Sequence, residues 1–338
     1  TMFSRRSFIR SLSLMTSGVL VPWDNLLTAA TPADRWGKVL PLRRLGTTGE
    51  EVTMLGVGGY HVGWTTERDA EEVIETAMAR GIRFFDTAYS YGDGTSERRY
   101  GKYLVPKFRD EVFIMTKSTA KNYRTARAEL EESLRRLNID QVDLWQVHSL
   151  QSPEDTDARI ENGVLRLAEE ALKEGKARYI GFTGHANPYA HVRMIEQAGD
   201  SGLFTACQFP VNPVDAASEH SFVENVIPKA LEAGIAVLAM KTLADGRFFG
   251  KKVVNGDTVW ESEQPVVPGK ISLKEALNFA WSMPVSTLIT GAENADLLKE
   301  KIKLAKKFVE LKEAARLTLT DRLTALAAEG KVEYYKNV

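Results

Sequence analysis

The sequence predicts a (β/α)8 barrel, and three observations carry that prediction. Eight short apolar runs alternate with eight amphipathic stretches, which implies a parallel sheet with helical crossovers. Three consecutive runs end in polar side chains able to do chemistry, as expected where the C-terminal ends of parallel strands meet on one face. The chain has 338 residues, ample for one barrel with additions, because single barrels routinely exceed about 200 residues.

Residues 1–34 stand apart as a leader and linker, ahead of a barrel over 35–338. Thr1 before Met2 reads as an expression scar. SRRSFIR, with the pair Arg5-Arg6 and then Phe8, is followed by the apolar SLSLMTSGVLV and by small residues around Thr28-Ala29-Ala30. Positive start, apolar middle and small-residue site in that order read as an export signal, and the arginine pair resembles the twin-arginine type. The plainer alternative is a basic N-terminal helix. The apolar part is well short of the ~20 residues that span a bilayer, so no stable membrane anchor is expected. The implied partner is the twin-arginine export machinery and the implied location is periplasmic or otherwise exported, or cytoplasmic if the signal is unused.

The stretch VLPLRRLGTTGEEVTMLGV turns at Gly46 and Gly49, predicting a hairpin that leads into the first buried strand. Strands are expected at 54–58, 82–86, 112–116, 142–147, 177–183, 204–209, 235–240 and 286–290. Helices are expected at 68–80, 96–103, 123–137, 162–174, 188–198, 221–233, 273–283 and 295–311. Two features fall outside the eight units. Residues 242–271 form a long connection, which in a compact domain is usually a functional lid or disordered; it carries Phe248, Phe249 and Trp260. A final helix at 319–328 is placed to cover a barrel opening.

Composition excludes several functions. Lys and Arg total 44 against 45 acids, a formal charge of −1, with no basic block to hold a polyanion, so nucleic acid is not an expected partner. Cys207 is the single cysteine and reads as a small core residue, not part of a thiol framework or zinc site. Oligomeric state is not legible here.

The chemistry concentrates at the ends of strands two to four. IRFFDTAYSYGDG carries Asp86 and, five residues on, Tyr91; EVFIMTKS ends near Lys117; VDLWQVHS carries His148. Alone, Asp86 is as well read as a helix cap and Tyr91 as a loop aromatic. Four such residues closing three consecutive apolar strands point instead to convergence, because a buried lysine or histidine is costly unless paired.

GIRFFDTAYSYGDGTSERRYG resembles the aldo/keto reductase signature, with an Asp, a Tyr five residues later, and a following Ser-Glu and Gly, here Ser96, Glu97 and Gly101. The hairpin LRRLGTTGEEVTMLGVGG, the lysine of EVFIMTKS, the histidine of VDLWQVHS and RYIGFTG fit the same family in order and spacing over residues 38–311. The resemblance implies hydride transfer between a nicotinamide and the carbonyl carbon of a small aldehyde, ketone or sugar-like substrate, without a metal. Tyr91 would be the general acid and Lys117 would stabilise its phenolate. Asp86 would pair with Lys117 and border the cofactor. His148 would orient the carbonyl oxygen and share proton donation at lower pH. A second reading the family allows is a regulatory subunit that binds the cofactor and a partner with little turnover.

On the cofactor side the resemblance implies Gly58 and Gly59 after the first strand, and Thr183 and Gln208 on the nicotinamide carboxamide. Gly184 stands where the family usually has Asn, and for Gln208 the plainer alternative is a polar barrel filler. Met240-Lys241-Thr242-Leu243 replaces an aromatic-led Tyr-Ser-Pro-Leu; the Met240 thioether would cover the ring and Leu243 would border the cofactor, while Lys241 would reach the pyrophosphate or point to solvent. In TGAENADLLKEK, Gly291 would admit phosphate or ribose. Leu297 stands where a 2′-phosphate arginine is frequent and Lys301 where an Asn is frequent, and Glu293 favours a free ribose hydroxyl. Both NADP(H) and NAD(H) therefore stay open, with family habit favouring NADP(H). Substrate-pocket candidates are Tyr60, His61, Trp64, Tyr89, His185 and Trp260, with Phe248 and Phe249, each with an ordinary packing alternative. His191 and His220 carry no such argument and read as surface histidines.

Overall fold

Eight parallel strands close into a barrel in the computed structural model, which describes residues 32–249, 251–254, 257–261 and 269–336. The strands are β1 (Leu55–Gly58), β2 (Phe84–Asp86), β3 (Phe113–Ser118), β4 (Val142–Val147), β5 (Ala177–Thr183), β6 (Phe204–Pro210), β7 (Ala236–Met240) and β8 (Thr287–Thr290). Each pairs with its sequence neighbour, and β8 closes on β1. The expected fold and all eight strands are present. The stretch read as an export signal lies in residues 1–31, outside the described residues.

Strands covered on both faces need apolar residues at every position, and β2, β3 and β4 are buried throughout. Outward residues such as Val57, Phe85, Ile114, Trp145 and Ile180 join the helices in one large cluster. Inward residues Phe84, Phe113, Met115, Leu144, Ala206, Ala236, Leu238 and Ile289 form a second cluster inside the barrel. Gly56 is needed on that inner face, because a Cβ there would stand 2.8 Å from the Phe84 ring.

The N-terminal hairpin, Leu42–Arg44 against Glu51–Thr53, closes the end of the barrel where the strands begin. Leu45 and Val52 plug into the inner cluster. The buried Arg43 donates to the carbonyls of Trp281 and Val285 at 2.8 and 2.9 Å, tying the hairpin to the start of β8.

Several elements differ from expectation. The helix expected at 221–233 is two pieces, Phe222–Asn225 and Ile227–Glu232, because Pro228 cannot donate to the preceding turn. The helix expected at 162–174 runs Val164–Lys173, preceded by an unforeseen Pro153–Glu161; Gly163, at φ 80°, breaks the two apart. The long connection is partly structured, with a turn at Ala244–Gly246 and a hairpin, Lys251–Val254 with Asp257–Glu261. The last helix is longer than expected, Glu313–Glu329. Its Leu323 packs with Val214, Phe248 and Ala276 to one side of the barrel, and the segment after it, not the helix, reaches the open mouth. No helix among the described residues is long and apolar enough to cross a membrane.

Candidate active site

The two-residue period of a strand places the site. Stepping two residues beyond each inner core residue moves one layer toward the C-terminal mouth on the same face. From Phe84 the step reaches Asp86, from Met115 Lys117, from Ala206 Gln208, from Leu238 Met240 and from Ile289 Gly291. All five line one cavity of about 1290 Å³ at the mouth. His148, two steps beyond Leu144, and Thr183, one step beyond the glycine at 181, line it as well. The apolar floor and the polar layer above it are thus the same alternation read to its end.

Tyr91 arrives from the loop after β2. Gly92, Asp93 and Gly94 take left-handed conformations at φ 58°, 51° and 83°, and a Cβ on Gly92 would lie 2.4 Å from the Gly63 carbonyl. Glycine is therefore required to present the phenol. Ser96 and Glu97 anchor the loop: Ser96 Oγ donates to the Gly59 carbonyl at 2.8 Å, and the buried Glu97 accepts from Thr116 Oγ1 at 2.6 Å and from Arg136 at 3.2 Å.

The four expected residues converge. Lys117 Nζ donates to Asp86 Oδ1, to the Thr87 carbonyl at 2.7 Å and to Tyr91 Oη at 3.3 Å. The Tyr91 and His148 rings meet nearly edge to face, with centroids 5.9 Å apart. His148 Nδ1 is buried without a hydrogen-bond partner.

Burial governs the protonation of this group. It raises the Asp86 carboxyl against the opposing pull of Lys117, and lowers the Lys117 ammonium against the pull of Asp86. It also holds the Tyr91 phenol well above 10, with the Asp86 charge adding to the effect. In the unliganded cavity, desolvation of a phenolate outweighs the nearby cation. Tyr91 is therefore held protonated. His148 is pushed well below 6.5, first by burial and then by Lys117, so it is a neutral imidazole near neutral pH.

The cavity fits a nicotinamide nucleotide. Gln208 Oε1 accepts from Gln146 Nε2 at 2.9 Å, which fixes the amide and leaves its Nε2 to donate into the cavity beside the Thr183 hydroxyl. Gly58, Met240, Lys241, Leu243, Glu293 and Lys301 all line the same space. A Cβ on Gly291 would stand 2.1 Å from His61 Nδ1, so only a bare backbone suits that wall. His61 Nε2 lies 3.2 Å from Glu293 Oε1, and Lys301 Nζ donates to the Gly291 carbonyl. Burial pulls Lys301 down to about 8.

Of the substrate candidates, Tyr60, His61, His185 and Phe249 line the cavity. Four other residues do not. Gly59 is a packing position, where a Cβ would stand 2.2 Å from the Asp86 carbonyl. Trp64 is partly exposed beside Tyr60. Tyr89 stacks under Arg136 at 4.4 Å, and Phe248 is packed into the side cluster. Trp260 sits on the strand Asp257–Glu261, with its side chain outside the described residues. Sequence reasoning missed Asp245, Tyr334 and Tyr335, all on the cavity wall; no motif or period marks them.

His191 is not on the surface. It is fully buried among Phe182, Phe209 and Phe222 and donates from Nε2 to the Gln208 carbonyl at 3.2 Å. Burial pulls it to about 4, as it does His185. Because the unfolded chain binds these protons near 6.5, it holds more protons than the folded state between 6.5 and 4, and stability must fall as pH falls through that window. Urea unfolding should weaken as pH falls below about 6.5, by at most about 1.4 kcal/mol per pH unit for each histidine. His191→Gln should lower that slope; an unchanged slope would mean that His191 titrates normally.

Comparison with known proteins agrees with this geometry. Residues 54–331 match the aldo/keto reductase family. A probable aldo-keto reductase of Glycine max is 32% identical over 227 residues, covering 62% of this chain and 62% of that protein, so the match spans a little under two thirds of that relative. The L-galactose dehydrogenase of Arabidopsis thaliana is 26% identical over 293 residues, 78% of this chain and 87% of that one. The solved structure of an aldo-keto reductase from Bacillus halodurans in its holo form superimposes with a TM-score of 0.68 at 22% identity, over 84% of this chain and 96% of that one, a likeness of fold. With the family matched along residues 54–331, the chain belongs to the aldo/keto reductase family.

Proposed function

We propose that the protein is an NAD(P)H-dependent oxidoreductase that reduces the carbonyl of a small aldehyde, ketone or sugar-like substrate, with Tyr91 as general acid. The observation that carries this reading is the buried Asp86–Lys117 pair in contact with Tyr91, with His148 against the phenol. A bound reduced nicotinamide supplies the hydride to the carbonyl carbon. The chain supplies the rest. Tyr91 Oη passes its proton to the carbonyl oxygen as negative charge develops there. Lys117, 3.3 Å away, then faces the phenolate and stabilises it once substrate and cofactor have displaced water. Asp86 holds Lys117 in place. Neutral His148 donates one hydrogen bond to the same oxygen and so orients it. The test is single-turnover mixing of the protein and reduced nucleotide with an aldehyde panel, comparing wild type with Tyr91→Phe. The name of the Arabidopsis relative makes a sugar-like substrate worth including in the panel.

The signal-like N-terminus motivates a linked proposal. Nicotinamide nucleotides are scarce outside the cytoplasm, so an exported enzyme of this kind would fold around its cofactor, carry it out and recycle it between two substrates. Fractionating cells that express the full chain, then identifying by mass spectrometry the nucleotide released on denaturation, tests location and cofactor together. Stoichiometric nucleotide in the exported fraction is expected. Nucleotide-free exported protein would end the carry-out idea, and the released species decides NAD(H) against NADP(H).

A further inference from the structure

The segment after the last helix, residues 331–336, is held at the barrel mouth by a buried cluster of charges. Lys336 Nζ donates to Asp215 Oδ1 at 2.6 Å and reaches Glu333 Oε2 at 2.5 Å, and the three side chains are 7%, 0% and 5% exposed. The surrounding atoms complete the cluster. Asp215 also accepts from Ser221 Oγ at 2.9 Å and from the amides of Phe222 and Val223 at 3.0 and 2.8 Å. Glu333 accepts from Asn212 Nδ2 at 2.9 Å and from Tyr335 Oη at 2.8 Å. Asn212 Nδ2 also donates to the Lys241 carbonyl at 3.2 Å, just past the end of β7. Such a network is high-stakes, because buried charges are tolerated only when every partner is present.

The ring between the two pinned charges faces the reaction cavity. Tyr335 lines it, stacks edge to face on His185 with centroids 5.5 Å apart, and lies under Lys241 Nζ at 4.7 Å. Its neighbour Tyr334 lines the cavity too and donates to Asp245. Tyr335 thus forms a wall of the cavity from a segment that has no regular secondary structure to hold it.

We infer that Tyr335 is a specificity-determining residue that limits the size of the carbonyl substrate, and that Asp215, Glu333 and Lys336 are positioning residues that hold its ring in the cavity wall. The inference rests on the reductase reading above. A wall set by a pinned aromatic ring admits a short aldehyde and obstructs one whose body must occupy the volume of the ring. Removing the ring, or the cation that balances two buried carboxylates, enlarges that side of the cavity without touching Asp86, Tyr91, Lys117 or His148.

The experiment uses the full chain with reduced nucleotide, and propanal and phenylacetaldehyde as probes. The variants are Tyr335→Ala, Tyr335→Phe, Lys336→Met and Lys336→Arg. In Tyr335→Ala and Lys336→Met the ratio of kcat/KM for phenylacetaldehyde over propanal should rise roughly tenfold or more, the scale on which a pocket discriminates by bulk. The change should fall mainly on KM. Tyr335→Phe, which keeps the ring but loses its donation to Glu333, should keep the wild-type substrate ratio at some cost in stability, and Lys336→Arg, which keeps the charge, should stay near wild type. Hydrogen exchange read on the 331–336 amides should be faster in Lys336→Met, with exchange in the barrel strands unchanged. An unchanged substrate ratio in Tyr335→Ala with both aldehydes turned over overturns the size filter. Unaltered exchange at 331–336 in Lys336→Met overturns the positioning role. Equal turnover in Tyr91→Phe would strike the proposed acid alone and leave both tail results standing.

Discussion

Tyr91→Phe should lower the single-turnover rate by about 10²–10⁴-fold, the usual contribution of a positioned proton donor, while leaving nucleotide binding intact. The substitution removes one hydroxyl from a half-buried ring, and that hydroxyl meets only Lys117 Nζ among the described hydrogen bonds. The Lys117 ammonium keeps its Asp86 and Thr87 partners, so the fold should tolerate the loss. The prediction is sharp because burial already holds Tyr91 fully protonated: the wild-type rate should not depend on a phenol titration anywhere near neutral pH. Equal rates in the two proteins would exclude Tyr91 as the acid and move attention to His148.

Lys117→Met should cost both activity and stability. Asp86 and Lys117 are 3% and 1% exposed, and removing one partner of a buried pair strands the other charge at a cost of about 3–5 kcal/mol. Burial pushes each of the two toward its neutral form against the attraction of the other, so the pair is maintained against a desolvation cost and is not explained as a stabilising feature. The double variant Asp86→Asn with Lys117→Met should therefore recover much of the lost stability, as read by urea unfolding, and none of the lost turnover. If the single variant unfolds at the wild-type midpoint, the ammonium is not buried as described. If the double variant regains turnover, the pair plays no part in the chemistry.

Much of this was legible in the sequence because it depends on local periodicity. Continuous apolar runs located the eight strands, and β4 and β5 have the expected ends. The polar residues at or beside the ends of those runs, Asp86, Lys117 and His148, were visible for the same reason: a strand that changes from apolar to ionisable near its end has passed the apolar floor and reached the mouth of the barrel. The loop glycines beside Tyr91 were visible as turn residues. Elsewhere local reading failed. His191 looks like any polar residue on an amphipathic helix, and only the packing of Phe182, Phe209 and Phe222 around it makes it a core group. Trp64, on the short helix Gly59–Trp64, and Tyr89 follow strand ends just as pocket residues do, yet neither lines the cavity.

The sequence by itself determined the barrel, its order, and the four side chains at the ends of neighbouring strands, because parallel strands of period two leave little freedom over where their ends lie. The tertiary structure alone decided which protonation state those side chains adopt and what walls the cavity. Protonation follows from burial, which sums over every element around the opening and so cannot be read from the few residues beside a titrating group. The wall at Tyr335 follows from ion pairs that join Asp215 to Lys336, 121 positions apart in the chain, a separation across which no local pattern carries information.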